Sequence, residues 1–212
     1  ARRDSTAWGV DRLTTLVLLD TNTYLRLAKR VRPFVGLKFG QVPYVLTILK
    51  VTEDEVHRNP HLQFRNPWFD QTEHAQERMA KQVRLTAVEK AQIEVAQSVL
   101  LGWVRMDVDR FTSYGRSPPG EADCWLLAFG QVRPAVVVTD DLGMHELVKD
   151  FPDIKVWHGY ELLAKLRTAK VVNDALIRDI YEALEANGDL TKTWREAKHK
   201  AFTKIFGSGS AA

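Results

Sequence analysis

Two short runs, Leu16-Val17-Leu18-Leu19 and Ala135-Val136-Val137-Val138, are apolar at every position. Apolar runs of about four to eight residues have the length of a buried strand and are short for a helix. Residues 16–20 and 135–139 therefore read as buried strands. Both end in acid. The first runs into Asp20-Thr21-Asn22, the second into Thr139-Asp140-Asp141. Ligands of an open parallel sheet sit beyond the carboxyl ends of its strands. A strand that stops at an acidic residue sets a carboxylate at that lip, and this chain does so twice.

Around these strands the pattern alternates. Residues 22–31 read as a helix with Leu25 and Ala28 inward and Arg26, Lys29 and Arg30 outward, closed by Pro33. Tyr44 to Leu49 reads as a strand. Residues 51–58 read as a short acidic helix in which Thr52 and Glu55 have capping-box spacing. Two Asn-Pro steps mark 59–70 as loop. An amphipathic helix is expected from about Asp70 to Leu101, continuous or broken near Thr86, with Val88, Ala91, Val95 and Val99 at three- and four-residue spacing. Gly102 to Val108 reads as a strand and 112–120 as a loop. Then follow a helix (121–129), the second buried strand, a helix (141–149), a strand (154–157) and a helix (160–168). Strand–helix alternation of this kind predicts an α/β fold with a mainly parallel sheet.

Residues 171–205 read as further helices, with Val172, Leu176 and Ile180 on one face and Asn187-Gly188 ending one piece. The expected organisation is an α/β unit over 16–168 with a helical insertion at about 65–101, then a helical extension over 169–206. Residues 207–212, Gly-Ser-Gly-Ser-Ala-Ala, read as a linker-like tail outside the fold. Residues 1–15 are polar and read as loose, with Trp8 as an anchor.

The 212 residues, 45% hydrophobic and 27% charged, suit one domain with a real core. A formal net charge of +3 is compatible with a polyanionic partner. The single cysteine, Cys124, excludes an intrachain disulfide and fits a reducing cytoplasm, the expected location. No apolar run approaches the ~20 residues that cross a bilayer, and no signal peptide is read, so no membrane role is expected.

The acids are the chemistry of this chain, and each has a plainer role beside its functional one. Asp20 suits an N-cap for the next helix, with Asn22 close by to hold a water. Glu55 fits the capping box with Thr52, and lies beside apolar Val56. Glu53 and Asp54 read as solvated surface. Glu121 and Asp123 open a helix, where acids complement the dipole. The helix continues Cys124-Trp125-Leu126-Leu127-Ala128, so Asp123 is expected to be buried and to need a partner. Of Asp140 and Asp141, one is expected to enter the site and the other to cap a helix; periodicity does not say which. Carboxylates gathered at strand ends repel one another and raise each other's pKa values. A hard divalent cation relieves that repulsion.

With these segments in view, the chain resembles the PIN-domain nucleases. The resemblance is carried by Leu18-Leu19-Asp20-Thr21-Asn22, by Val51-Thr52-Glu53-Asp54-Glu55-Val56, by Gly120-Glu121-Ala122-Asp123 with Leu127-Ala128, and by Val138-Thr139-Asp140-Asp141. It spans about residues 16–166. It implies a three-layer α/β/α fold and Mg²⁺- or Mn²⁺-dependent endonucleolytic hydrolysis of RNA. It also implies Asp20, Glu55, Asp123 and Asp141 as the catalytic acids, Glu121 as an accessory metal ligand with Asp140 as a further candidate, and Asn22 and Thr139 as supporting groups. Many small members are toxins of bacterial toxin–antitoxin pairs, so an antitoxin partner is implied as well, and a homodimer is a further expectation. The competing reading is a PIN-like module that binds RNA or protein without cleaving.

Other features are less specific. His57, His61 and His74 lack the paired spacing of a zinc site and read as surface or RNA-facing. Cys124 reads as packing. Arg26, Lys29 and Arg30, and Lys198 and Lys200 in the basic stretch 192–204, are candidates for phosphate contact. Trp194, Ala197, Ala201 and Ile205 read as one packed helix face.

Overall fold

A computed structural model describes residues 14–41, 43–112 and 117–208. Trp8 and most of the 207–212 tail lie outside the described residues, as does part of the 112–120 loop. Five strands form one sheet in the order β2-β3-β1-β4-β5. They are β1 (Thr15–Leu19), β2 (Lys38–Phe39), β3 (Tyr44–Thr47), β4 (Ala135–Val138) and β5 (Lys155–Trp157). β1 runs parallel to β3 and to β4, and β4 parallel to β5; only the two-residue β2 is antiparallel, at the edge. The expected α/β fold with helices on both faces is the fold observed.

The two faces follow from strand alternation. Val17, Leu19, Leu46 and Val138 pack on one side with α1 (Thr21–Leu27), α9 (Gly159–Thr168), α10 (Asp174–Ala186) and α11 (Lys192–Lys200). Leu16, Leu18, Val45 and Val137 pack on the other with α5 (Ala87–Met106), α7 (Glu121–Val132) and α8 (Leu142–Leu147). The extension thus shares a core with β1: Ile177, Ile180 and Tyr181 of α10, Trp194 of α11, and Ile205 of α12 (Thr203–Phe206) are buried there. Ala201, expected on the same face, is exposed, because α11 has already ended at Lys200.

Several expectations are corrected. The supposed strand at 102–108 is the end of α5, which continues to Met106, followed by α6 (Val108–Phe111). Leu100 and Val104, one helical turn apart, hold it to the core. The segment from Asp70 takes the broken form that was one of its two expectations, as α4 (Thr72–Ala80) and α5. Thr86 caps the second in a capping box with Glu89. The apolar row taken from the sequence faces water: Val88 is 67% exposed and Val95 68%, whereas Ile93, Leu100 and Val104 are buried. The loop at 59–70 contains α3 (Pro60–Arg65), because Asn59 caps it and Pro60 occupies its first position. Finally α2 (Lys50–Arg58) starts before Thr52, which is buried inside it, so Thr52 and Glu55 form no capping box. Among the described residues no helix is long and apolar enough to cross a membrane.

Candidate active site

Asp20 leaves β1 at its carboxyl end and caps α1, accepting from the Thr23 N–H at 2.6 Å. Its other oxygen accepts from Thr139 Oγ1 at 2.7 Å. Thr139 follows β4, the strand beside β1, and its hydroxyl also accepts from the Asp141 N–H at 3.0 Å. One threonine thus ties together the acids that end the two central strands. Asp141 caps α8 through the Met144 N–H at 3.0 Å. It therefore does the capping that was open between it and Asp140.

Asp123 reaches the same edge from the first turn of α7, where its Oδ2 accepts from the Gly120 N–H at 2.9 Å. Gly143, on α8, makes room for Phe111 and Pro119, which precede α7. A side chain there would meet the Phe111 carbonyl oxygen at 2.5 Å and Pro119 at 2.9 Å, so only glycine lets that stretch close over α8. Glu55, on α2 after β3, accepts from the Thr21 hydroxyl. The acids from the three central strands and from α7 are thereby gathered at one sheet edge.

Their electrostatics show the crowding. Burial, with a smaller push from Asp140, raises Asp20 from an ordinary 3.8 to about 6, against the hydrogen bonds from Thr23 and Thr139. Asp123 rises to about 7, chiefly by burial, with Asp141, Glu55 and Asp20 each pushing it upward. Asn22 is exposed beside Asp20, and Glu121 is exposed at the rim. Glu121 and Glu55 line a cleft of about 490 Å³ with Arg58, Gln97 and Trp125.

Asp140 is held apart from this group. Its Oδ2 accepts from Arg26 Nη1 and from Trp194 Nε1, both at 2.7 Å, and its Oδ1 from the Gly159 N–H at 3.0 Å. His158 Nδ1 lies 3.6 Å from the same Oδ1. Although burial works to raise it, these donors hold its carboxyl below the usual range. Asp140 is thus a structural anchor whose oxygens are already engaged, and Arg26 is spent on it. Trp194 was legible only as packing; its indole N–H has a carboxylate to bond because Gly159 lets the ring approach closely.

Glu53, expected in solvent, is also buried. It contacts Arg78 Nε at 3.4 Å and accepts from Gln82 Nε2 at 3.2 Å. Arg78, equally buried, lies 3.7 Å from the centre of the Phe69 ring and donates to the Phe69 carbonyl at 2.8 Å. This pins α4 to α2 and leaves Glu55 as the acid of that helix at the sheet edge. His74 is buried beside Trp68 and Arg32, not at the surface. Lys198 pairs with Glu185 and Lys200 with Glu196, each at 3.6 Å. Cys124 is a buried free thiol, pushed up to about 12 by burial.

No protein family matches the sequence, and no curated protein matches it. Among solved structures the chain is similar to the crystal structure of FitAcB from Neisseria gonorrhoeae, at 12% identity and a TM-score of 0.42, covering 68% of this chain and 98% of that one. It is also similar to VapBC-1 from nontypeable Haemophilus influenzae, at 17% identity and a TM-score of 0.41, covering 69% of this chain and 99% of that one.

The donor set can be judged by its chemistry. Among the described residues Glu55, Asp123 and Asp141 each accept a hydrogen bond through one oxygen, Oε2, Oδ2 and Oδ1. All-carboxylate oxygen donors suit a hard cation such as Mg²⁺ or Mn²⁺. The side chains are not drawn together, however: among the described residues no three acids, histidines or cysteines stand at metal-ligand spacing.

Proposed function

We propose that the protein is a Mg²⁺- or Mn²⁺-dependent endoribonuclease whose acidic centre is Asp20, Glu55, Asp123 and Asp141. The observation that carries this reading is the electrostatic state of Asp123. Burial pushes it up to about 7, and the charges of Asp141, Glu55 and Asp20 each add to that push. A fold that needed these acids only as helix caps would have no reason to set them where their charges act on one another, because like charges destabilise the charged forms. A bound cation supplies the missing positive charge and, as a Lewis acid, polarises a phosphodiester. In this reading Asp20, Asp123 and Asp141 hold it, with Glu121 at the rim as an accessory. Thr139 fixes the orientation of Asp20 and of the Asp141 backbone, and Thr21 that of Glu55. Asn22, exposed beside Asp20, orients water or substrate. We extend the reading to a protein partner, an antitoxin, on the PIN-like sequence segments.

The test is cleavage of end-labelled RNA with Mn²⁺, with Mg²⁺ and with EDTA, alongside Asp20→Asn. The variant removes a charge at nearly constant volume and can keep both hydrogen bonds at position 20. Metal-dependent products are expected to vanish in EDTA and to fall at least about 100-fold in the variant, the scale on which loss of one transition-state stabilising group acts. A variant as active as the parent protein would remove the assigned centre.

A further inference from the structure

On the side of Asn22 the acidic edge opens into a groove of about 590 Å³ that the acids do not enter. Its floor is the outward row of α1 and the turn after it, Asn22, Arg26, Lys29 and Arg30. These positions are spaced by four, three and one, which places them on one side of the helix axis over about 12 Å. One wall is α3, with Arg65; the other is the carboxyl end of α10 and the turn to Asp189. The groove is therefore built jointly by the helical insertion and the C-terminal extension, on a floor from the α/β unit.

Its charge is one-sided. Lys29 is exposed and Arg30 half-buried, and among the described residues neither has an acidic partner. The single acid in the lining is Asp189, which reaches Arg65 Nη2 at 3.5 Å from the opposite wall. Neither partner is buried: Arg65 is exposed by 50% and Asp189 by 35% of the side chain. An exposed pair of this kind is worth little and gives way to a stronger anion. Two unpaired cations and a third held loosely, in line with an acidic centre, make a track for the negative charges of a polymer.

We propose that this groove binds the phosphodiester backbone of single-stranded RNA, with Lys29 and Arg30 on the floor and Arg65 released to the strand from Asp189. The proposal rests on the nuclease reading, because it supplies the substrate path into that centre. Both added helical regions then serve the substrate, as the walls that hold the strand.

The test is fluorescence anisotropy of a labelled single-stranded RNA oligonucleotide on the Asp20→Asn protein in EDTA, over a salt series, so that binding is read without cleavage. Lys29→Glu with Arg30→Glu is expected to weaken binding at least 10-fold and to reduce the salt slope by about 1.4, that is about 0.7 for each lost phosphate contact on a single strand. Asp189→Asn frees Arg65 and removes the acid, and is expected to tighten binding several-fold, a gain that misfolding would not produce. Lys90→Glu with Lys149→Glu, both exposed and outside the groove, is expected to change nothing. Equal binding after the floor reversal, with an unchanged thermal midpoint, overturns the groove and leaves the nuclease reading standing. So does equal affinity for a duplex of the same sequence. If Asp20→Asn binds no RNA and the parent protein cleaves none with Mn²⁺, the nuclease reading falls and the groove with it.

Discussion

Asp20 and Asp140 follow neighbouring strands, and both are nearly sealed from water, yet burial acts on them with opposite results. Asp140 meets Arg26, the Trp194 indole and the Gly159 N–H, and its carboxyl is held below the usual range. Asp20 meets a hydroxyl and one backbone N–H, no cation, and is pushed up to about 6. On α2, Glu53 is buried against Arg78, whereas Glu55 is exposed and accepts only from the Thr21 hydroxyl. Where the chain uses an acid to hold elements together it supplies a positive group. Among the described residues it supplies none to Asp20, Asp123 or Asp141. Under the proposed function, the second region, the edge beyond β1 and β4, is the one that meets charge from outside.

The contrast is most severely tested at Asp140. Asp140→Ala leaves Arg26, the indole N–H and the Gly159 N–H without their acceptor. Removing one member of a buried pair costs about 3–5 kcal/mol, so unfolding in urea should show a loss of this size. A loss below about 1 kcal/mol would mean that the anchor role is wrong.

The reverse sign is expected at the crowded edge. Asp123→Asn keeps an acceptor for the Gly120 N–H and removes the repelling charge. In metal-free protein at pH 8 it should stabilise by about 1–2 kcal/mol, roughly one pKa unit's worth or slightly more. It should also abolish any rise of the thermal midpoint on adding Mn²⁺. The pH dependence follows from linkage. Both Asp20 and Asp123 have folded pKa values above their unfolded ones, so the folded state binds more protons between about pH 4 and 7. Their contribution to metal-free stability therefore falls as pH rises through that window, and Asp123→Asn should flatten the decline. Asp140 works in the opposite direction: its contribution is present above the unfolded pKa and is lost as pH falls through the lower folded one.

Glu121→Gln should show the smallest effect. The side chain is exposed at the rim, so thermal stability should change by less than about 0.5 kcal/mol. Under the proposed function, RNA cleavage should slow by a few-fold only. A collapse comparable to that of Asp20→Asn would move Glu121 from the rim into the centre.

These contrasts show why the sequence was legible in some places and misleading in others. The central strands could be read because Leu16–Leu19 and Ala135–Val138 are apolar throughout, a pattern that only burial on both faces explains. The acids at their ends could be found for the same reason. Which acid of a pair is neutralised could not be read, because the neutralising groups come from far along the chain. Arg26 lies 114 residues from Asp140, and Arg78 reaches back to Glu53 from the insertion. The helix α5 misled by having apolar residues on two sides. Periodicity identifies a face but not what covers it, and here Ile93, Leu100 and Val104 took the core while Val88 and Val95 did not. Gly102 looked like a boundary, but in α5 its α-carbon simply faces open space.

The bond from Trp194 to Asp140 also constrains the descent of this chain. The extension fills the room beside Gly159 with an indole ring, where a side chain on the glycine would meet it at 2.8 Å. Positions 140, 159 and 194 are thus one character spread over three places. In a homologue that ends before α11, the carboxylate at 140 has lost one donor, and the glycine at 159 keeps only Asp140 Oδ2, 3.1 Å from a side chain placed there, as a reason to stay bare. Both are then held less tightly. The tail and the strand end should therefore be gained and lost together, a covariation that a deep alignment can count.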